Sequence, residues 1–306
     1  MRLRTIIFFA IVYMVNISAA SAQDMELVSR ELDRYSQEDQ SPPANSYSTK
    51  TPDRKAHTFE MALETYNYKY QETVNGGKFM GNRGQYNGLF GAYTFRPRDV
   101  DSFFDEIFAN MFRFEVRYAL GKVDYTGSGN YYGLKDYSYE VRAILGREYY
   151  WGESWQFVPY SGVGFRYLND GLQAYTPGGY NRESRYLYMP IGFTVHKNLR
   201  NAWGIGFNAE YDIFLGGKQI SHEEDVDPGY SPVSNTQRRG FGARGSLKIE
   251  KEIPDMKFCV EPFFRYWHIQ DSDAAPEMYQ GVPTGWALLE PENTTQEFGI
   301  KMGVEF

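Results

Sequence analysis

The stretch WGIGFNAEYDIFL, residues 203–215, decides the fold class. Trp203, Ile205, Phe207, Ala209, Tyr211, Ile213 and Leu215 fall on one side of an extended chain, and Gly204, Gly206, Asn208, Glu210 and Asp212 on the other. Successive side chains of a strand point to opposite faces, so this period of two predicts a long strand with one apolar and one polar face. The same pattern sets Phe112, Phe114, Val116, Tyr118 and Leu120 against Arg113, Glu115, Arg117, Ala119 and Gly121. Near the end of the chain it sets Phe298, Ile300, Met302, Val304 and Phe306 against Glu297, Gly299, Lys301, Gly303 and Glu305. Less regular runs start near Phe59, Tyr86, Tyr137, Gln156, Arg185, Arg239 and Phe258, which brings the expectation to about ten strands.

Alternation fits a lipid-facing barrel, and it also fits a soluble lipocalin-like barrel whose apolar face turns inward. The polar face favours the first. It carries Arg113, Glu115, Arg117, Glu140, Arg142, Arg166, Glu210, Asp212, Arg244, Glu261, Arg265, Glu297 and Lys301 among glycines and tyrosines. Paired charges of both signs in a narrow lumen, beneath a broad apolar exterior, are the transmembrane arrangement. Aromatics make up 17% of the 306 residues, with 26 Tyr and 22 Phe. Beyond the amino terminus no run approaches the ~18 apolar residues of a spanning helix, so a chain of this composition crosses a bilayer only as a closed barrel. The expected architecture is all-β, a transmembrane antiparallel up-and-down barrel over residues 58–306.

The opening residues read as a secretory signal over 1–22. Arg2 and Arg4 are its basic region, Ile6 to Val15 its apolar stretch, and Ala20-Ser21-Ala22 its cleavage site. Residues 23–57 are polar and without sustained periodicity, which predicts a flexible periplasmic arm with a helical turn or two around Met25 to Tyr35. The formal charge of -7 becomes more negative once Arg2 and Arg4 are removed, and an acidic chain without a basic patch excludes nucleic acid as a partner. The single cysteine, Cys259, cannot form an intramolecular disulfide, and four scattered histidines do not make a structural zinc site. No cofactor is implied.

Connections near 151–155, 197–201 and 253–256 are tight, and those at 169–183, 216–236 and 271–293 are long and rich in Gly, Pro, Asn and acids. Strict alternation of this kind is expected of an outer-membrane barrel, with short turns in the periplasm and long loops outside. Residues 97–110, PRDVDSFFDEIFAN, break the rule and predict a short amphipathic helix with Phe103, Phe104, Ile107 and Phe108 on one face. Tyr149, Tyr150, Trp151, Trp155 and Trp203 flank tight turns, as an interfacial girdle requires. Pro159, Pro190 and Pro262 speak against the barrel, because each removes a ladder donor from a proposed strand.

Four stretches carry a family resemblance: FEVRYALGKVDYTGSG from Phe114, PYSGVGFRYLND from Pro159, YLYMPIGF from Tyr186 and VEPFFRYWHIQDSD from Val260. Together they resemble an outer-membrane β-barrel family of largely uncharacterised bacterial proteins, akin to the small OmpA-like and porin-like barrels of Gram-negative cells. The resemblance covers about residues 59–306 and implies fold and outer-membrane location. It implies no catalytic residues. It also implies contact with outer-membrane lipid and lipopolysaccharide. The final strand, ending on the aromatic Phe306, resembles the C-terminal signal that such barrels present to the barrel-assembly machinery.

Two enzymatic arrangements are testable against the sequence. An omptin-like protease needs paired acids and an Asp-His pair at the outer mouth. The candidates are His222 with Glu223, Glu224, Asp225 and Asp227, and His268 with Asp271 and Asp273, but the omptin signature is missing. A lipid A deacylase needs a Ser-His pair, and in Ser221-His222 the two neighbours would point to opposite faces of a strand. The acid cluster also lacks the spaced ligands of a calcium loop. The expectation is therefore a non-enzymatic barrel with a structural or surface-interaction role and a charge-filled lumen. A narrow channel and a surface hydrolase are the alternatives.

Overall fold

The computed structural model describes residues 55–97 and 109–306. The signal over 1–22, the arm over 23–57 up to its last residues, and the helix expected at Phe103, Phe104, Ile107 and Phe108 lie outside the described residues. The elements are β1 (His57–Val74), β2 (Gly77–Phe95), β3 (Met111–Thr126), β4 (Asn130–Gly146), β5 (Tyr149–Trp151), β6 (Trp155–Gly171), β7 (Asn181–Asn198), β8 (Trp203–Ser221), β9 (Val233–Gln237), β10 (Gly240–Ile253), β11 (Met256–Ile269), β12 (Ala275–Tyr279), β13 (Val282–Leu288) and β14 (Glu292–Glu305). All neighbours are antiparallel. β5 continues the line of β4 against β6, and β9 continues β10 against β8, so the main sheet forms ten staves. β10 pairs with both β8 and β11, and β14 pairs with both β11 and β1, which closes the ring. At this last seam Phe59 N donates to Phe306 O at 2.9 Å and Phe306 N donates to Phe59 O at 3.0 Å.

Period-two patterning sets the faces as read from the sequence. Leu63 is 63% exposed and Phe207 48%, whereas Glu64 and Glu210 are buried. The apolar outer run Phe112–Leu120 on β3, at ~3.3 Å per residue and ~45° tilt, gives a band roughly 20 Å tall, close to the ~25 Å of an outer-membrane barrel. Aromatic rings mark both edges of the band. Near Phe306, Phe59 packs on Tyr93 at 5.0 Å and on Phe306 at 6.2 Å. At the opposite edge Tyr139 stacks on Tyr167 at 4.7 Å, and Phe241 lies between Tyr211 at 5.7 Å and Tyr266 at 5.9 Å.

Two expectations need correction. β2 begins at Gly77 and β4 at Asn130, well before the runs near Tyr86 and Tyr137. Beyond the apolar band the outward side chains turn polar, as with Arg83, Gln85 and Asn87 on β2, so the contrast between faces fades while the strand goes on. The alternation of short and long connections also fails at the end remote from Phe306. There Asn75-Gly76 joins β1 to β2, with φ of 51° and 76°, and residues 127–129 join β3 to β4. Positive φ at both central residues makes the first a two-residue hairpin turn matched to strand twist. The long connections shrink to 172–180, 222–232 and 270–291, and the last contains the β12–β13 hairpin.

Each problematic proline sits at a gap in the ladder. Pro159 lies opposite Arg147, in the break where β4 gives way to β5, and its carbonyl still accepts from Arg147 N at 3.1 Å. Pro190 lies where β6–β7 pairing skips from Ser161–Ile191 to Gly164–Tyr188. Pro262 lies where β10–β11 pairing skips from Ser246–Phe263 to Ile249–Val260. A missing N–H is tolerated where the neighbouring strand already leaves the ladder open.

Candidate functional site: the charged lumen

Ring closure turns strand register into a belt of charges. Arg117, Glu140 and Arg166 stand directly across from one another on β3, β4 and β6. Glu210, Arg244, Arg265 and Glu297 do the same on β8, β10, β11 and β14. Long side chains then meet across the lumen. Glu297, 1% exposed, accepts from Arg166 at 2.8 Å and Arg117 at 3.1 Å and pairs with Arg265 at 2.7 Å. Arg244 reaches Glu140 at 2.6 Å, Asp212 at 2.7 Å and Glu210 at 3.1 Å. Closer to Phe306, Arg113 bridges Glu60 at 2.9 Å and Glu115 at 2.6 Å, while Arg142 joins Glu115 at 3.1 Å and contacts Glu210. Lys301 pairs with Glu261 at 2.8 Å and Glu60 at 3.3 Å. Isolated charges could not be buried here, but mixed signs on adjoining staves compensate one another.

The thirteen charged residues singled out in the sequence thus all lie on the inner side. Sequence reading missed Glu60, Glu64 and Lys248, which join the same network. Glu60 and Glu64 were legible, since they alternate with Phe59, Met61 and Leu63 on β1. Below the belt a cavity of about 620 Å³ extends from the rim at Lys55 and Phe306 to Arg244 and Arg265. Above it lies an aromatic layer of Tyr66, Tyr86, Tyr186, Tyr188, Phe214 and Trp267. The layers are joined by cation–π contacts: Arg265 sits 5.2 Å from the Tyr66 ring, Arg166 5.4 Å from Trp267 and Arg244 5.3 Å from Tyr188.

At the loop end Arg182 binds Glu72 at 2.5 Å and also contacts Glu290 of the 270–291 connection. Burial and the nearby Glu72 push the Glu290 carboxyl up to about 8, against the pull of Arg182. Asn235 Nδ2 donates to Asp273 O at 3.0 Å and Leu288 O at 2.9 Å, further pinning this connection to the rim.

The two histidine clusters do not form an opposed pair. His268 lies on the outer side of β11, 5.5 Å from the Phe241 ring, and Asp273 pairs with Arg238 at 2.8 Å. His222 has Nδ1 2.8 Å from Glu224 and Nε2 3.2 Å from Glu183, so carboxylates occupy both ring nitrogens, and Ser221 is not among its partners. Burial opposes the charged ring, but the hydrogen bonds to Glu224 and Glu183 outweigh it and raise the pKa. A raised folded pKa makes the clamp complete below the free value of ~6.5 and loosens it as pH rises through the folded value. Hydrogen exchange should therefore show residues 222–232 better protected at about pH 6 than above the folded pKa. Protection independent of pH, or unchanged by Glu224→Gln, would count against the clamp.

No protein-family model and no curated protein matches the chain. Among solved structures, the outer membrane protease OmpT from Escherichia coli is similar at 10% identity and a TM-score of 0.57, covering 84% of this chain and 97% of that one. Neisserial surface protein A (NspA) is similar at 13% identity and a TM-score of 0.31, covering 81% and 95%. OprG from Pseudomonas aeruginosa is similar at 12% identity and a TM-score of 0.28, covering 83% and 97%. The likeness to OmpT shows a shared fold, that of a small outer-membrane barrel.

Proposed function

We propose that this chain is an integral outer-membrane protein with a structural or surface-interaction role and a lumen closed by paired charges. One observation carries the reading: Glu297, deep in the lumen, is held by three guanidiniums that stack against the buried aromatic layer. Such a packed interior leaves the loops and the outer surface as the parts free to act. The turns near Phe306 would face the periplasm and the 172–180, 222–232 and 270–291 connections the outside. The apolar band would meet lipid and lipopolysaccharide, and β14 would engage the barrel-assembly machinery.

The channel alternative has the 620 Å³ cavity in its favour, but a pore also needs a path through the aromatic layer. The hydrolase alternative needs a base, and both nitrogens of His222 are already taken. Planar-bilayer recording of the refolded protein tests the proposal. The expected result is no stepwise conductance in the intact chain. Sustained steps of uniform size would replace the closed barrel by a channel, and turnover of peptides or lipopolysaccharide would replace it by an enzyme.

A further inference from the structure

We propose that the loop-end half of the lumen contains a hard-cation site built from Asp136 of β4, Asp170 of β6 and Asn82 of β2. The three come together through register and a reach across the lumen. Tyr137 pairs with Asn169, so Asp136 and Asp170 lie one step further along the same two strands, both inward. Asn82 Nδ2 donates to Asp170 Oδ2 at 2.9 Å, and Gly171 N donates to Asp136 Oδ1 at 3.3 Å. A small cavity of about 20 Å³ lies against all three, with Tyr68, Tyr70 and Tyr86 on its walls. At ~10–15 Å³ per probe-sized guest, that is room for one water or one ion.

The second observation is an oxygen with nothing to accept. Asn82 is 3% exposed, and among the described residues its Oδ1 takes no hydrogen bond from any donor, nor does the buried Asp170 Oδ1. A buried acceptor left unmatched forfeits its hydration without return, so two beside one cavity call for a guest that satisfies them. Two carboxylates side by side also repel, and the neighbouring Arg182 is already shared by Glu72 and Glu290. A divalent cation answers both problems, because it neutralises the pair and takes up the free oxygens. Carboxylate, amide and phenol oxygens without imidazole or thiolate select a hard ion over zinc or copper. The irregular set suits Ca²⁺, which accepts varied geometry, better than Mg²⁺, which demands an octahedron.

The tyrosine walls supply the readout. Protein refolded in detergent without lipopolysaccharide and stripped with a chelator is titrated with Tb³⁺ under tyrosine excitation. Saturable sensitised emission near one ion per chain is expected, with Ca²⁺ as competitor, and Ca²⁺ should raise the temperature at which the folded band is lost in detergent gels. Asp170→Asn and, with both acids intact, Asn82→Ala should each weaken the ion at least tenfold, whereas Glu223→Gln in the half-buried acid cluster after β8 should not. The wild-type titration needs no variant to fold. An absence of emission there, or of any Ca²⁺ effect on the folded band, overturns the site and leaves a water or a shared proton between the acids. Emission lost in Glu223→Gln but kept in Asn82→Ala also overturns it.

Discussion

Replacing Glu297 by glutamine should lower stability by about 3–5 kcal/mol, because removing one member of a buried ion network strands its partners in a dry interior. Three guanidiniums, those of Arg117, Arg166 and Arg265, share this carboxylate. Arg166 has no second acceptor to turn to, since its Nε and Nη1 already lack one among the described residues. Glu115→Gln supplies the contrast. Its side chain is 13% exposed and lines the large cavity, so water can rehydrate Arg113 and Arg142 when the charge goes. Its loss should be less than half as large. A urea titration in lipid vesicles measures both, with the comparison drawn between midpoints at unchanged slope and reversible unfolding. Equal costs would mean that water reaches Glu297 as freely as Glu115.

Phe207→Arg tests the other face of the wall. The side chain lies on the outer side of β8 within the apolar run, where an arginine at mid-bilayer costs roughly 2–4 kcal/mol. Assembly into vesicles should fall accordingly. Glu210, on the inner side three residues further along, has Arg142, Arg244 and a hydrogen bond from Tyr160 at 2.8 Å as partners. Glu210→Gln keeps the shape and leaves Arg142 with Glu115 and Arg244 with Glu140 and Asp212, so unlike Glu297→Gln it strands no guanidinium and should still insert. Insertion of Phe207→Arg together with exclusion of Glu210→Gln would mean that the two faces are exchanged and that the barrel encloses an apolar core.

The outer band was legible because lipid imposes a sharp alternation on every strand it touches, as Trp203 to Leu215 and Phe112 to Leu120 show. The inner charges were legible for the same reason, including Glu60 and Glu64, which a stricter count along β1 would have found. Strand length was not. Above the band Thr65, Asn67 and Lys69 face outward and are polar, and a strand between water and a polar lumen has no hydrophobic contrast to display. Partner choice was hidden too. Arg113, Arg142 and Arg244 all fall on the polar face, and only closure of the ring gives Glu210 the last two. The prolines read as faults because a sequence does not show where a neighbouring strand leaves its ladder open. The pairing of Asp136 with Asp170 and Asn82 depends on a reach across the lumen that no local pattern encodes.

The seam between β1 and β14 also governs timing. Fourteen residue pairs, from Glu60–Glu305 to Thr73–Glu292, join the first strand to the last. No stretch of chain between them is short enough to make that meeting local, so among the described strand pairings this contact carries the greatest loop-closure entropy and belongs to the slow, high-contact-order class. Until β14 is in place, β1 and β11 each present a row of unpaired amides and carbonyls, an invitation to pair with a stranger. A ring that closes only when β14 meets β1 gains nothing from its other nine staves alone. It needs its two free edges shielded until the last strand is in hand.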